Sequence, residues 1–254
     1  ESPLPPGEIW AGPNDGPVHV TRDGGATWTD VTPPDLLPEG RVQNIEVSPH
    51  RPGKVYVAYY RYLLGDFEPY IYRTTDYGAS WELLTPGDNG IPDDHPTRVV
   101  REDPEREGLL YAGTEFGMFM SMDEGANWES FQQNLPTTPI TDLKIADGNL
   151  YVSTMGRSFW VMDDLSPLHA LMDGMDDRTV QLLQPRDAIR TRGGFRFGAP
   201  STGPQVEPQW APTGMTIDYW VPDGLMADLS LTVRNEDGEV IRNYSTRGPG
   251  MRGV

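Results

Sequence analysis

The sequence predicts an all-β chain, a partial β-propeller of three to four four-stranded antiparallel blades followed by the start of a β-sandwich. The first observation behind this is a motif written three times: Thr21-Arg22-Asp23-Gly24-Gly25-Ala26-Thr27-Trp28, Thr74-Thr75-Asp76-Tyr77-Gly78-Ala79-Ser80-Trp81 and Ser121-Met122-Asp123-Glu124-Gly125-Ala126-Asn127-Trp128. The shared pattern is Ser/Thr-x-Asp-x-Gly-x-x-Trp, repeating after 53 and then 47 residues, a period that signals stacked supersecondary units. The second is composition, since 28 Gly and 25 Pro among 254 residues interrupt short alternating runs of Val, Ile, Tyr and Trp. The third is Asn235-Glu236-Asp237-Gly238, an Asp-Gly turn between two alternating segments near the end of the chain.

Aligning the motif copies gives four strands per repeat, the blade of a propeller. The second copy reads as strands over 41–48, 55–62, 70–74 and 81–85, and the third as strands over 97–101, 109–113, 117–121 and 128–132. The first copy has three strands, 8–12, 18–21 and 28–31, with its opening strand missing. A fourth, degenerate copy runs through 140–146, 149–154 and 158–163, where Met162-Asp163-Asp164-Leu165 replaces the motif. Residues 1–165 are therefore assigned to blades and 166–212 to a closing segment and linker, with a short helix over 167–177 and a strand over 179–183. Residues 213–254 hold strands at 214–221, 229–233 and 239–244, half of an antiparallel sandwich. A chain of so few blades reads as a fragment of a larger propeller, so further upstream blades are its expected partners.

The net charge of −18, with Lys54 and Lys144 the only lysines, argues against nucleic acid or an anionic membrane as partner. No run approaches the ~20 apolar residues of a membrane helix. The absence of cysteine excludes disulfides, thiolate metal sites and a cysteine nucleophile. The four histidines show no zinc spacing, and no phosphate-binding glycine loop or serine-nucleophile motif occurs. No cofactor or metal is expected, although the acidic clusters at 93–95 and 172–177 offer calcium the oxygen ligands it takes.

The repeated motif has a mechanical reading. The carboxylates of Asp23, Asp76 and Asp123 accept hydrogen bonds within the turn, Gly25, Gly78 and Gly125 permit its backbone, and Trp28, Trp81 and Trp128 cover the apolar space beside it. These residues are read as structural, not catalytic.

The motif resembles the Asp-box, or BNR repeat, of sialidases, sortilin propellers and xyloglucan-hydrolysing enzymes. With Tyr-Ile-Tyr-Arg-Thr-Thr-Asp-Tyr-Gly at 70–78, Arg-Val-Val-Arg-Glu-Asp-Pro at 98–104, Leu-Tyr-Ala-Gly-Thr-Glu-Phe-Gly at 110–117 and Gly-Arg-Ser-Phe-Trp-Val-Met-Asp-Asp-Leu at 156–165, the chain is similar to one bacterial group. That group consists of exported, sortilin-like BNR-repeat propellers labelled glycosyl hydrolases. The resemblance implies that the boxes lie at the blade periphery away from any active face, that the tail is Ig-like, and that the protein is secreted or periplasmic, in the cell envelope. Members often carry His where this chain has Met155, which removes an acid–base or metal role at that position.

Propeller geometry places any site on the loops opposite the boxes, at 13–16, 63–69, 114–117 and 155–158. Asp15, Asp66 and Glu115 occupy equivalent loops and are the candidate catalytic carboxylates, since glycoside hydrolysis uses two. Asn14, Arg61, Arg98 and Arg157 are the candidate ligand-binding residues. The expected function is an exported propeller binding glycans or peptides. The alternatives are a glycoside hydrolase in the intact parent and a structural scaffold docking another protein. Sialidase chemistry is disfavoured, because no Phe/Tyr-Arg-Ile-Pro signature accompanies the arginines.

Overall fold

A computed structural model describes residues 2–4, 6–188 and 214–246, and the expected linker at 193–212 lies outside them. The described chain divides into two units, residues 2–172 and residues 173–188 with 214–246. The first unit holds four antiparallel sheets in chain order, each joined by simple hairpins. Sheet one is β1 (Ile9–Ala11), β2 (His19–Thr21) and β3 (Thr29–Asp30). Sheet two is β4 (Arg41–Val47), β5 (Val55–Tyr60), β6 (Tyr70–Thr74) and β7 (Glu82–Leu83). Sheet three is β8 (Thr97–Glu102), β9 (Leu110–Thr114), β10 (Met118–Ser121) and β11 (Glu129–Ser130). Sheet four is β12 (Ile140–Ala146), β13 (Asn149–Thr154) and β14 (Phe159–Met162), followed by α1 (Ser166–Met172).

Register confirms that these sheets are one unit repeated. The first hairpin of sheets two, three and four carries a bulge at the same place, between Val42 and Asn44, Thr97 and Val99, and Ile140 and Asp142. Past the bulge, Glu46 pairs Tyr56, Arg101 pairs Tyr111 and Lys144 pairs Tyr151. A bulge adds local twist, so three equivalent bulges bend three first strands alike.

Each Asp box closes the turn between the third and fourth strand. In the first, Asp23 Oδ1 accepts from Thr21 Oγ1 at 2.7 Å and the Thr27 amide at 2.9 Å, while Oδ2 accepts from Thr27 Oγ1 at 2.6 Å. Asp76 repeats this with Thr74 and Ser80, and Asp123 with Ser121 and Asn127. Bonds from Thr27 above all pull the Asp23 carboxyl down to about 2, and their counterparts lower Asp76 and, against some burial, Asp123. The residue after each aspartate is left-handed: Gly24 at φ 72°, Tyr77 at 62° and Glu124 at 60°.

The boxes also lock one sheet to the next. Trp81 Nε1 donates to the Val31 carbonyl at 2.7 Å, and Trp128 Nε1 to the Leu84 carbonyl at 2.9 Å. A Cβ at Gly78 would lie 2.5 Å from Val31, and one at Gly125 2.7 Å from Leu84, so only glycine allows that approach. The layers between sheets are apolar: Trp10, Val20, Val57 and Tyr72 between sheets one and two, Tyr56, Ile71, Phe119 and Trp128 between two and three, and Tyr111, Met118, Leu143 and Val152 between three and four.

Several sequence expectations need correction. Trp28 was expected to cover apolar space, yet it is 45% exposed, because no sheet of the described residues stands on its side. The second strand of sheet two ends at Tyr60 rather than 62, since 62–64 winds into a 3-10 turn closed by Gly65 at φ 78°. The fourth strands are two residues long, shorter than expected, and the helix is confined to Ser166–Met172. In the second unit β15 (Gln181–Leu182) pairs β16 (Tyr219–Trp220), and β17 (Ser230–Arg234) forms a hairpin with β18 (Val240–Ser245) around the Asp-Gly turn.

Candidate functional site

In an antiparallel meander successive turns alternate between the two ends of a sheet. The boxes occupy the turns after β2, β6 and β10, so the turns after β1, β5, β9 and β13 gather at the opposite end. Two ionic clusters stand there, each pairing residues singled out by sequence.

Arg98 on β8 meets Glu115, the residue just past β9. Arg98 Nε donates to Glu115 Oε1 at 2.5 Å, and the Tyr60 hydroxyl at the end of β5 donates to the same oxygen. Arg98 Nη2 also reaches the Tyr60 oxygen at 3.2 Å, and its guanidinium lies 5.0 Å from the Tyr60 ring centroid. Glu115 is 9% exposed, and its backbone amide bonds the Pro96 carbonyl at 3.0 Å. Burial, reinforced by the Glu115 carboxylate, pushes the Tyr60 hydroxyl up from its ordinary pKa.

The second cluster is built around the β5–β6 loop. Arg61 Nε donates to Asp66 Oδ2 at 2.7 Å, the Tyr70 hydroxyl to the same oxygen at 3.0 Å, and the Glu68 amide to Oδ1 at 3.2 Å. Partial burial works to raise the Asp66 pKa, but Arg61, the Glu68 amide and Tyr70 outweigh it and hold the carboxyl low. The guanidinium is also anchored on the Pro38 carbonyl.

Aromatic side chains stand on the same loops as the two clusters. The Tyr60 and Tyr62 rings stack with centroids 5.7 Å apart, and Phe67 meets Tyr62 edge-on at 5.3 Å. Phe116, next to Glu115, packs on His95 at 5.0 Å. Tyr62, Phe67 and Phe116 are each about two-fifths or more exposed, beside the 80% exposed Leu63. Sequence reasoning passed over Phe67 and Phe116, whose signal was an aromatic residue directly beside a loop carboxylate.

The structure thus brings Arg98 to Glu115 and Arg61 to Asp66. Among the described residues, no hydrogen bond or ion pair joins Asp15, Asn14 or Arg157 to either cluster. Asn14 and Asp15 are exposed on a loop whose Gly16 presses on Tyr59, where a Cβ would lie 2.5 Å from the hydroxyl. Arg157 is exposed in the β13–β14 turn, with its carbonyl accepting Trp160 Nε1 at 2.8 Å.

Two further charged groups lie elsewhere in the first unit. Glu102, Glu107 and Glu124 are close enough to share an ion. That position is filled, however, by the Lys54 ammonium, with Nζ at 2.9, 3.1 and 2.6 Å from the three carboxylates. The first strands line a cavity of about 410 Å³ with Glu46, Arg101 and Lys144 at equivalent positions. Arg101 bridges Glu46 and Asp142 there, at 2.7 Å each. Burial raises the Glu46 pKa despite the Arg101 contact.

No protein-family model matches the chain, and no curated protein sequence does. Among solved structures it is similar to YCF48 bound to a D1 peptide, with 20% identity and a TM-score of 0.44 over 61% of this chain and 46% of the other. It is also similar to the GH74 xyloglucanase from Xanthomonas campestris, with 18% identity and a TM-score of 0.48 over 63% and 26%. An ancestral GH74 enzyme matches at 14% identity and a TM-score of 0.48 over 96% and 32%. These neighbours are β-propeller proteins, and the chain spans less than half the length of each.

Proposed function

We propose that the protein is an exported β-propeller that binds glycans on the loop face bearing Tyr62, Phe67 and Phe116. The observation that carries this reading is the exposure of three aromatic side chains on loops that also hold two partly buried ion pairs. Sugar rings present C–H faces that stack on aromatic rings, and their hydroxyls bond the charged groups at the rim. Arg61, Arg98 and Glu115 give the shelf its fixed floor, while Asn14, Asp15 and Arg157 supply polar groups on neighbouring loops. Export follows the resemblance of the repeats to the exported BNR group, and the 230–245 hairpin supports reading 213–254 as the start of an Ig-like sandwich.

The test is titration of the protein against a panel of soluble polysaccharides and a peptide library, with Tyr62→Ala, Phe67→Ala and Phe116→Ala alongside. Glycan binding that falls roughly tenfold or more in each variant supports the reading, on the scale of a lost interfacial aromatic. Binding by peptides alone, or glycan binding indifferent to all three substitutions, removes it.

A glycoside hydrolase of the intact parent, with Asp66, Glu115 and Asp15 as its acids, has less support. A general acid needs a proton free to give, and a nucleophile a free lone pair. Glu115 Oε1 already accepts from Arg98 and Tyr60, and Asp66 Oδ2 from Arg61 and Tyr70. Asp66→Asn and Glu115→Gln in the parent enzyme test it, since hydrolysis unchanged in both removes those carboxylates from the chemistry.

A further inference from the structure

The connection from β7 to β8 contains Asp88-Asn89-Gly90, and Asn-Gly occurs nowhere else in the sequence. The Asn89 side chain ties that connection to the third Asp box. Asn89 Nδ2 donates to the Leu84 carbonyl at 2.8 Å and to the Gly125 and Ala126 carbonyls at 3.2 Å each. The Asn89 carbonyl in turn accepts the Trp128 amide at 2.7 Å. Gly90 is left-handed at φ 116°, and a Cβ there would overlap the Trp128 carbonyl, so the joint admits glycine alone. Asn89 Oδ1 is buried and accepts no hydrogen bond from the described residues. The joint is therefore held by what the side-chain NH₂ donates, and it offers nothing to a second acceptor oxygen at that position.

We propose that Asn89 is a spontaneous deamidation site that the fold keeps closed, and that its deamidation weakens the joint irreversibly. The Gly90 amide nitrogen, unhindered by any side chain, attacks Asn89 Cγ. An N–Cγ bond forms, the Gly90 amide proton passes to solvent, and Nδ2 takes up a proton and leaves as ammonia when the Cγ–Nδ2 bond breaks. Water then opens the cyclic imide at either carbonyl, giving aspartate or its β-linked isomer. In the folded chain three carbonyls hold the amide and Gly90 is pressed on Trp128, so the joint must open before the nitrogen reaches Cγ. The aspartate product aims an oxygen at the Leu84, Gly125 and Ala126 carbonyls and leaves all three without their donor. The β-linked product adds a backbone carbon at the Trp128 contact. The joint stands at the box end of the sheets, opposite the aromatic loop face, so the modification is independent of glycan binding.

Peptide mapping by mass spectrometry tests this on the 254-residue chain kept in mildly alkaline buffer, folded or denatured in urea. A synthetic peptide of residues 85–94 in the same urea gives the unrestrained rate. Deamidation at Asn89 is expected to be roughly tenfold or more slower in the folded chain than in the denatured one, the factor being set by the opening equilibrium. The denatured chain should keep pace with the peptide. Asn89→Asp, the product itself, is expected to lower the urea midpoint or to prevent folding, and the rate comparison needs no variant at all. Equal rates in the folded and denatured chains would overturn the proposal. An Asn89→Asp midpoint equal to that of the unsubstituted chain overturns it as well.

Discussion

Glu124 Oε1 lies 2.6 Å from Lys54 Nζ, an ion pair between residues 70 positions apart in the chain. Glu124 belongs to the third Asp box, and its left-handed backbone swings the side chain back to the previous sheet. There it also meets Arg73 Nη1 at 2.9 Å, while Glu102 Oε1 bonds both Lys54 and the Tyr56 hydroxyl. Burial works against the Lys54 ammonium, and the hydrogen bonds it donates to Glu124 and Glu102 overcome it, so its pKa stands above the ordinary lysine value. The box is thus an electrostatic clasp between sheets as well as a turn.

Removing the ammonium leaves Glu102, fully buried, facing two other carboxylates. Lys54→Met is expected to cost roughly 3–5 kcal/mol, the range for breaking a buried pair by removing one partner. The double variant Lys54→Met/Glu102→Gln should recover a substantial part of it, read from urea denaturation as a double-mutant cycle. A Lys54→Met protein as stable as the parent would show that the cluster contributes little.

Trp128 fills the layer between sheets two and three and donates to Leu84. Trp128→Ala is expected to cost about 3–5 kcal/mol through cavity formation and the lost bond. Denaturation midpoints give the comparison with Trp128→Phe, which keeps most of the volume and should cost distinctly less.

The carboxyls of Asp23, Asp76, Asp123, Glu107 and Glu124 all sit below their ordinary pKa in the folded chain. Their contribution to stability is complete above the unfolded values, near about 4, and is lost as pH falls through the folded ones. Glu46, raised by burial, acts in the opposite sense. The melting temperature is therefore expected to fall from about pH 4 downward, with Asp23 still titrating at about 2. Lys54 adds no loss near neutrality, because a raised lysine pKa holds its contribution until the alkaline range. Scanning calorimetry from acid to neutral pH measures the slope, and a flat profile below pH 4 would contradict it.

His169 fastens α1 to sheet three through a 2.9 Å contact between its Nε2 and Asp103 Oδ2, both groups buried. His169→Ala leaves the Asp103 carboxylate short of a partner and should cost roughly 1–3 kcal/mol. Hydrogen exchange should quicken first at the Leu168 and His169 amides, which bond the Leu165 carbonyl.

The repeat was legible in the sequence because turns have strict local demands. A residue held at left-handed φ, an acceptor two residues from its donor, and a glycine where sheets touch leave fixed marks at Asp76, Gly78 and Trp81. Strand order and the incomplete first sheet followed from that alignment. The pairings of Arg98 with Glu115 and Arg61 with Asp66 were not legible, although all four residues had been picked out. Charges in adjacent loops of equivalent units can pair within or between sheets, and only side-chain geometry decides. Trp28 was misjudged because the motif is local whereas its burial depends on a neighbouring sheet. Phe116 was overlooked because one loop aromatic has no periodicity to reveal it.

The placement of the two lysines gives the molecule an unusual chemical handle. Lys54 is sealed among carboxylates at 1% exposure, while Lys144 stands exposed on the first strand of sheet four at the rim of the 410 Å³ cavity. Amine-directed reagents applied to the folded chain should therefore modify one lysine and spare the other. A fluorophore or cross-linker attached in this way would report from the inner edge of the sheet array without any engineered residue.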